Sequence, residues 1–230
     1  MVKVFYDGCG ISTYASYPNV VGFTTNTTIM RQAKQFNYKT FYEAHKDLID
    51  GRPISFQIFS DEPEVIVQQA RLINELGTNI YVKVPVITSQ GESLLPTIKS
   101  LLQEGIQVNI TAVFTYLQID DISTMLSSCT STTKAIISVF GGRISDTGIE
   151  PRNIIRHAVQ SVRDLTWVEI LWAGVKDNLV IQYANEIGCH IVTVPDAIIS
   201  RLNRIGQPLD TLSQDTVASF LKDGVELSIV

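Results

Sequence analysis

The sequence predicts a (β/α)8 barrel: one α/β domain of parallel strands, each followed by a helix. Three observations carry this prediction. Short β-rich runs alternate with amphipathic helical stretches along the whole chain. Eight such runs can be counted, the number that closes a barrel. No G-x-G-x-x-G follows the first run, which argues against the doubly wound open sheet as the other arrangement of alternating strands and helices.

The expected strands are Val2–Asp7, Val20–Thr25, Ile54–Phe59, Ile80–Val86, Gln107–Phe114, Ala135–Phe140, Val168–Gly174 and Ile191–Pro195. Helix Glu62–Leu76 is expected because Val65, Ile66, Gln69, Leu72, Ile73 and Leu76 form one stripe, and Glu92–Glu104 because Leu94, Leu95, Ile98, Leu101 and Leu102 do. Further helices are expected at Asp121–Ser128, Arg152–Asp164, Asp177–Ile187 and Asp196–Ile205. Gly77, Gly105 and Gly188 each follow a helix and precede a strand, where a left-handed residue is wanted. No linker, low-complexity tract or charge block divides the chain. Residues 1–230 are therefore expected to form one barrel domain, with 215–230 as an added C-terminal helix and tail. Val217, Phe220 and Leu221 in that segment could cap the barrel or dock on a neighbouring subunit.

Composition narrows the function. A chain of 230 residues with 45% apolar and 18% charged residues builds a packed core rather than a disordered coil. The net charge of −5 argues against a nucleic-acid or anionic-membrane partner. Apolar runs such as Ala135–Phe140 are too short to span a bilayer, and Met1–Asp7 reads as a strand rather than a signal peptide. Three cysteines (Cys9, Cys129 and Cys189) without C-x-x-C spacing suit a reducing cytoplasm. His45, His157 and His190 form no ligand cluster, so no metal site is expected.

The most informative residue is Lys83, in Ile80-Tyr81-Val82-Lys83-Val84-Pro85-Val86. A cation in a β-branched run is costly to bury, and burial favours the neutral amine that Schiff-base chemistry on a carbonyl requires. Alternate strand residues face the helix layer and the lumen. If Val82, Val84 and Val86 face out, then Tyr81, Lys83 and Pro85 face in. The same parity sends Asp7, Thr24, Asn26, Gln57, Asn109, Thr111, Ser138 and Phe140 into the lumen. All lie in the middle or C-terminal part of their strands, where barrel active sites are built. Each has an ordinary structural reading too: Asp7 could simply neutralise Lys83, and Asn26 could be a turn residue.

Lysine attack on a ketone gives a carbinolamine and then an iminium, an electron sink that permits carbon–carbon cleavage. Asp7 is the lumen carboxylate suited to acid/base work, and Thr111 with Gln57 could hold a water. Thr24, Asn26, Asn109, Ser138 and Phe140 could contact substrate, the polar ones through its hydroxyls. Arg143, in Gly141-Gly142-Arg143 past the sixth strand, and Lys176, past the seventh, could bind a phosphate.

These segments resemble the transaldolase family, including the fructose 6-phosphate aldolases, over nearly the full length. The resemblance is carried by Phe5-Tyr6-Asp7, Val21-Gly22-Phe23-Thr24-Thr25-Asn26, Tyr81-Val82-Lys83-Val84-Pro85-Val86 and Val108-Asn109-Ile110-Thr111-Ala112-Val113-Phe114. It continues through Ile137–Ile144, Glu169–Ala173 and Thr193-Val194-Pro195. It implies Lys83 as the Schiff-base lysine, Asp7 as an acid/base residue and Thr111 as part of a water-holding group. It further implies Asn26, Asn109 and Ser138 as substrate contacts and Arg143 as a phosphate contact. A cytoplasmic homo-oligomer acting on sugar phosphates, a ketose donor and an aldose acceptor, is implied, as in the pentose phosphate pathway. In ring-forming members the C-terminal helix reaches a neighbour. No cofactor or metal is implied.

The two branches of the family disagree within this chain. Gln57 matches the aldolases, where transaldolases usually carry Glu, whereas Phe140 and Asn109 match the transaldolases. The second-strand motif continues Asn26-Thr27-Thr28 rather than Asn-Pro-Ser, and Gly174 stands where the family has a phosphate-contacting Ser. Three readings follow: a transaldolase, an aldolase that releases free dihydroxyacetone, and a non-catalytic sugar-phosphate-binding barrel.

Overall fold

The computed structural model describes residues 1–130 and 132–228. The chain runs β1 (Lys3–Asp7), α1 (Ile11–Tyr14), β2 (Val20–Thr24), α2 (Thr27–Gln32), α3 (Tyr38–Ile49), β3 (Ile54–Gln57), α4 (Pro63–Asn74), β4 (Ile80–Pro85), α5 (Leu95–Gln103) and β5 (Val108–Val113). It continues α6 (Tyr116–Ser127), β6 (Ala135–Val139), α7 (Gly141–Asp146), α8 (Arg152–Ser161), β7 (Val168–Trp172), α9 (Leu179–Ile187), β8 (Ile191–Val194), α10 (Asp196–Ile199) and α11 (Leu209–Asp223). The eight strands pair in sequence order, all parallel, and β8 closes on β1. This is the expected (β/α)8 barrel with an extra C-terminal helix. No described helix is long and apolar enough to cross a membrane.

Strand parity divides the interior into two apolar layers. Tyr6, Phe23, Phe56, Val82, Val84, Ile110, Ile137, Ile170 and Val192 face outward and pack with the helices. Phe5, Tyr81, Ile136, Leu171 and Ile191 face inward and fill the lower lumen as a separate cluster. Burying a large aliphatic or aromatic side chain contributes about 1.5–3 kcal/mol, so these layers fix the register of each strand. The polar lumen residues sit above that inner plug.

Four helices were not expected from periodicity: α1, α2, α3 and α7. Two announce themselves by caps instead. Asn26 Oδ1 accepts from the Ile29 amide at 2.9 Å, and Asn37 Oδ1 from the Thr40 amide at 2.8 Å. Helix α6 begins at Tyr116 rather than Asp121 because Thr115 and Gln118 form a reciprocal capping box. Gly105 and Gly188 take the left-handed conformation expected of them, but Gly77 does not. A Cβ on Gly77 would lie 2.5 Å from the Tyr42 hydroxyl, so this glycine serves close approach, not φ. The expected helix Asp196–Ile205 stops at Ile199 and resumes as a 3-10 turn over Leu202–Arg204. The C-terminal helix begins at Leu209 rather than Asp215, directly after Pro208; positions 229 and 230 of that expectation lie outside the described residues.

Candidate active site

Lys83 sits on the inner face of β4, flanked in register by Gln57 of β3 and Asn109 of β5. It is only 4% exposed, and its Nζ donates to the Thr25 carbonyl at 3.3 Å. Burial pushes the amine below its ordinary pKa; Asp7 opposes this, and Arg143 adds to it. Asp7, at the C-terminal end of β1, is pushed the other way, since burial raises it while Lys83 and Thr24 oppose. The two do not form a direct ion pair: the Asp7 carboxylate takes the Thr24 hydroxyl at 2.7 Å, and the Lys83 amine takes a backbone carbonyl. Burial thus lowers the Lys83 amine and raises the Asp7 carboxylate, each from its ordinary range, so that a lysine more easily deprotonated faces a carboxylate that more readily takes up a proton.

Around this pair the β-strands supply a hydrogen-bonded polar ring. Asn109 is fully buried; its Nδ2 donates to Ser55 Oγ at 3.1 Å and its Oδ1 accepts from Ser138 Oγ at 2.7 Å. Thr24, expected to bind substrate, is spent on Asp7, and its Oγ1 also lies 2.5 Å from Thr193 Oγ1. Asn26 both caps α2 through Oδ1 and leaves its amide nitrogen without a protein partner among the described residues. Gln57 is half-buried; its backbone carbonyl accepts from the Tyr38 hydroxyl at 2.7 Å, and its side-chain amide has no protein hydrogen-bond partner among the described residues.

Thr111 is the exception in the ring. It is 2% exposed, yet its hydroxyl has no hydrogen-bond partner among the described residues. A buried orphan hydroxyl is costly unless it meets a water or a ligand. The next residue, Ala112, has φ +58°, and the β5–β6 register shifts between Ile110 and Val113. This bulge with a left-handed alanine lies beside Thr111, in the kind of place where bulges re-aim side chains at functional sites.

The rim is built by the loops after β6 and β7. Phe140 stacks on Phe114 with ring centroids 5.5 Å apart, and Lys83 Nζ lies 6.0 Å from the Phe140 ring centre. The exposed Arg143 guanidinium lies 5.4 Å from the same ring and is in no ion pair among the described residues. The Gly142 amide donates to the Ala173 carbonyl at 3.2 Å, and a Cβ on Gly142 would meet the Gly174 carbonyl oxygen, so the two loops touch through bare backbone. Lys176 is set apart from this group: it is exposed and ion-paired to Asp146. Cys9 is half-buried with Sγ 3.4 Å from Met30 Sδ; burial, then Asp7 and Asp196, pushes its thiol up to about 11, which leaves it protonated and unreactive.

The structure therefore brings together Asp7, Thr24, Lys83, Asn109 and Ser138 through hydrogen bonds and charge, with Gln57 and Thr111 in adjoining positions and Phe140 with Arg143 above. Two residues of this ring escaped the sequence reading, Ser55 and Thr193. Ser55 shares strand parity with Gln57, a usable signal; Thr193 lies in an otherwise aliphatic strand, where threonine is an ordinary strand former.

Comparison with known proteins gives the family. Residues 5–229 match the family model for transaldolase/fructose-6-phosphate aldolase. A protein from Streptococcus pyogenes serotype M5 named "Probable transaldolase" is 30% identical over 228 residues, covering 96% of this chain and 97% of its own. One of the same name from Bdellovibrio bacteriovorus is 28% identical over 184 residues, 80% of each chain. Among solved structures, the HpcH/HpaI aldolase from Desulfitobacterium hafniense DCB-2 superposes with a TM-score of 0.56 at 13% identity, covering 99% of this chain and 94% of that one, a likeness of fold. The chain belongs to the transaldolase/fructose-6-phosphate aldolase family of enzymes.

Proposed function

We propose that this enzyme transfers a dihydroxyacetone unit from a ketose phosphate to an aldose acceptor through a Schiff base on Lys83. The observation that carries the reading is Lys83 itself: a 4% exposed amine, free of any direct ion pair and held down in pKa by burial. Its nitrogen attacks the ketose carbonyl carbon, and loss of water from the carbinolamine leaves an iminium. Asp7 removes the proton from the substrate hydroxyl that becomes the aldehyde. The adjacent carbon–carbon bond breaks, its electron pair flows into the iminium, and the product is an enamine. The enamine adds to the acceptor aldehyde, which takes the proton back, and water then releases the new ketose from Lys83.

Thr111, whose buried hydroxyl lacks a protein partner, holds the water, with Gln57 beside it. Asn26, Asn109 and Ser138 bind substrate hydroxyls, Phe140 walls the site, and Arg143, free of carboxylate partners among the described residues, takes the phosphate. Lys176 contributes only where its Asp146 pair opens.

A second reading is favoured by Gln57, whose amide binds a water but cannot accept its proton. Water then protonates the enamine carbon, which regenerates the iminium, and hydrolysis of that iminium releases free dihydroxyacetone and the Lys83 amine, as an aldolase would. Cleavage of fructose 6-phosphate with and without erythrose 4-phosphate tests the two. Turnover that depends on the acceptor supports transfer; release of glyceraldehyde 3-phosphate without it supports the aldolase.

We also infer that two or more copies associate through α11. Leu212, Val217, Phe220 and Leu221 on that helix are exposed in the single chain, and none of its residues is buried.

A further inference from the structure

We propose that Thr193 is a positioning residue for Asp7, orienting the Thr24 hydroxyl toward the carboxylate through a directed chain from Thr193 to Thr24 to Asp7. The proposal rests on the reading of Asp7 as the acid/base group. Thr193 lies on β8 and Thr24 on β2, the two strands that flank β1, so they reach each other across the lumen side of the strand that carries Asp7. Both are nearly fully buried, at 3% and 0% exposure. The oxygens of the two threonines are 2.5 Å apart, and Thr24 Oγ1 is 2.7 Å from Asp7 Oδ1.

The direction of the chain follows from counting protons. A hydroxyl owns one proton, and an ionised carboxylate has none to give. Thr24 spends its proton on Asp7, so only its lone pairs face Thr193. The proton between the two threonines must therefore come from Thr193. Donors aligned in series polarise one another, so Thr193 strengthens the Thr24–Asp7 bond and favours the ionised carboxylate against the burial that opposes it.

The other groups acting on Asp7 are few. Lys83 faces it from β4, and Cys9 follows it in the β1–α1 loop. The flanking strands β2 and β8 present to it only the two hydroxyls. Arg143 acts on Lys83, and Asp196, just past β8, acts on Tyr6 on the outer face of β1.

The test is the pH dependence of kcat/KM for fructose 6-phosphate with erythrose 4-phosphate as acceptor. Thr193→Val should move the acid limb to higher pH by about half a unit. Thr193→Ser, which keeps the hydroxyl, should restore it. Thr24→Val should move the limb further, and adding Thr193→Val to it should move it no more, because Thr193 acts only through Thr24. An unmoved limb in Thr193→Val, or a shift that adds to that of Thr24→Val, overturns the proposal. If Thr193→Val fails to fold, Thr193→Ala carries the same expectation. Asp7→Asn separates the two readings. A kcat/KM that survives it nearly intact removes Asp7 from acid/base work, whereas activity lost there with an acid limb unmoved in Thr193→Val removes Thr193 alone.

Discussion

At the residue scale the account turns on one buried lysine. Lys83 folds into the lumen against its own solvation, so the native state holds it with a lowered pKa. This has a stability consequence with a definite sign. Below the native pKa, the folded protein carries a buried ammonium at full cost. Between that value and the unfolded value of about 10.4, the unfolded chain binds the extra proton, so stability rises with pH. Lys83→Met removes the cost. It should raise stability at pH 7 by about 1 kcal/mol or more in urea denaturation, and the gain should shrink as pH approaches 10. A loss of stability at pH 7, or a gain independent of pH, would contradict the burial argument. Lys83 was legible from its β-branched surroundings, and Asp7, Asn109, Thr111 and Ser138 from strand parity. Thr193 was not, because one threonine among aliphatics carries no mark of its partner until the barrel closes β8 onto β1. Asn26 was legible only in part: its oxygen is a helix cap, and spacing alone does not separate a cap from a substrate contact.

At the scale of elements, β5 is where local rules are broken. Ala112 at φ +58° is strained for a residue with a Cβ, and the bulge it creates adjoins Thr111. Ala112→Gly should relieve that strain and hold or raise stability by up to about 1 kcal/mol, and Ala112→Val should lower it by about 1–3 kcal/mol, each moving the thermal midpoint in the same direction. Equal midpoints for the two variants in calorimetry would show that the backbone there is unstrained. Nothing in Val108–Val113 announces the bulge, because its residues are ordinary strand formers. The strand order was readable because hydrophobic alternation and helix stripes repeat so regularly. Helices α1, α2, α3 and α7 were hidden for different reasons: α1, α2 and α7 are too short to show a period, and the 12-residue α3 interleaves its apolar residues with Lys, Glu, His and Asp. The caps at Asn26 and Asn37 were the better signal for α2 and α3.

At the scale of the whole molecule, the barrel concentrates chemistry at one end and leaves α11 without a partner in the single chain. Phe220 and Leu221 are about 70% exposed there. Phe220→Asp with Leu221→Asp should leave the barrel folded, as far-UV circular dichroism reads it, and shift the sedimentation coefficient to that of a smaller species. An unchanged assembly would place the interface elsewhere. The closed sheet also explains why the site reads as one unit: parallel register carries Gln57, Lys83 and Asn109 side by side, and the inner plug of Phe5, Tyr81, Ile136, Leu171 and Ile191 lies beneath them. A lumen packed below and polar above leaves substrate the C-terminal mouth as its entrance, under Phe140 and Arg143.

The most direct test of the central claim is intact mass after borohydride reduction in the presence of fructose 6-phosphate, followed by peptide mapping. The account predicts a reduced three-carbon adduct on the peptide that contains Lys83, absent from Lys83→Arg, which is folded but inert because a guanidinium stays protonated. A folded, active enzyme that yields no adduct, or one that carries it on another lysine, would contradict it.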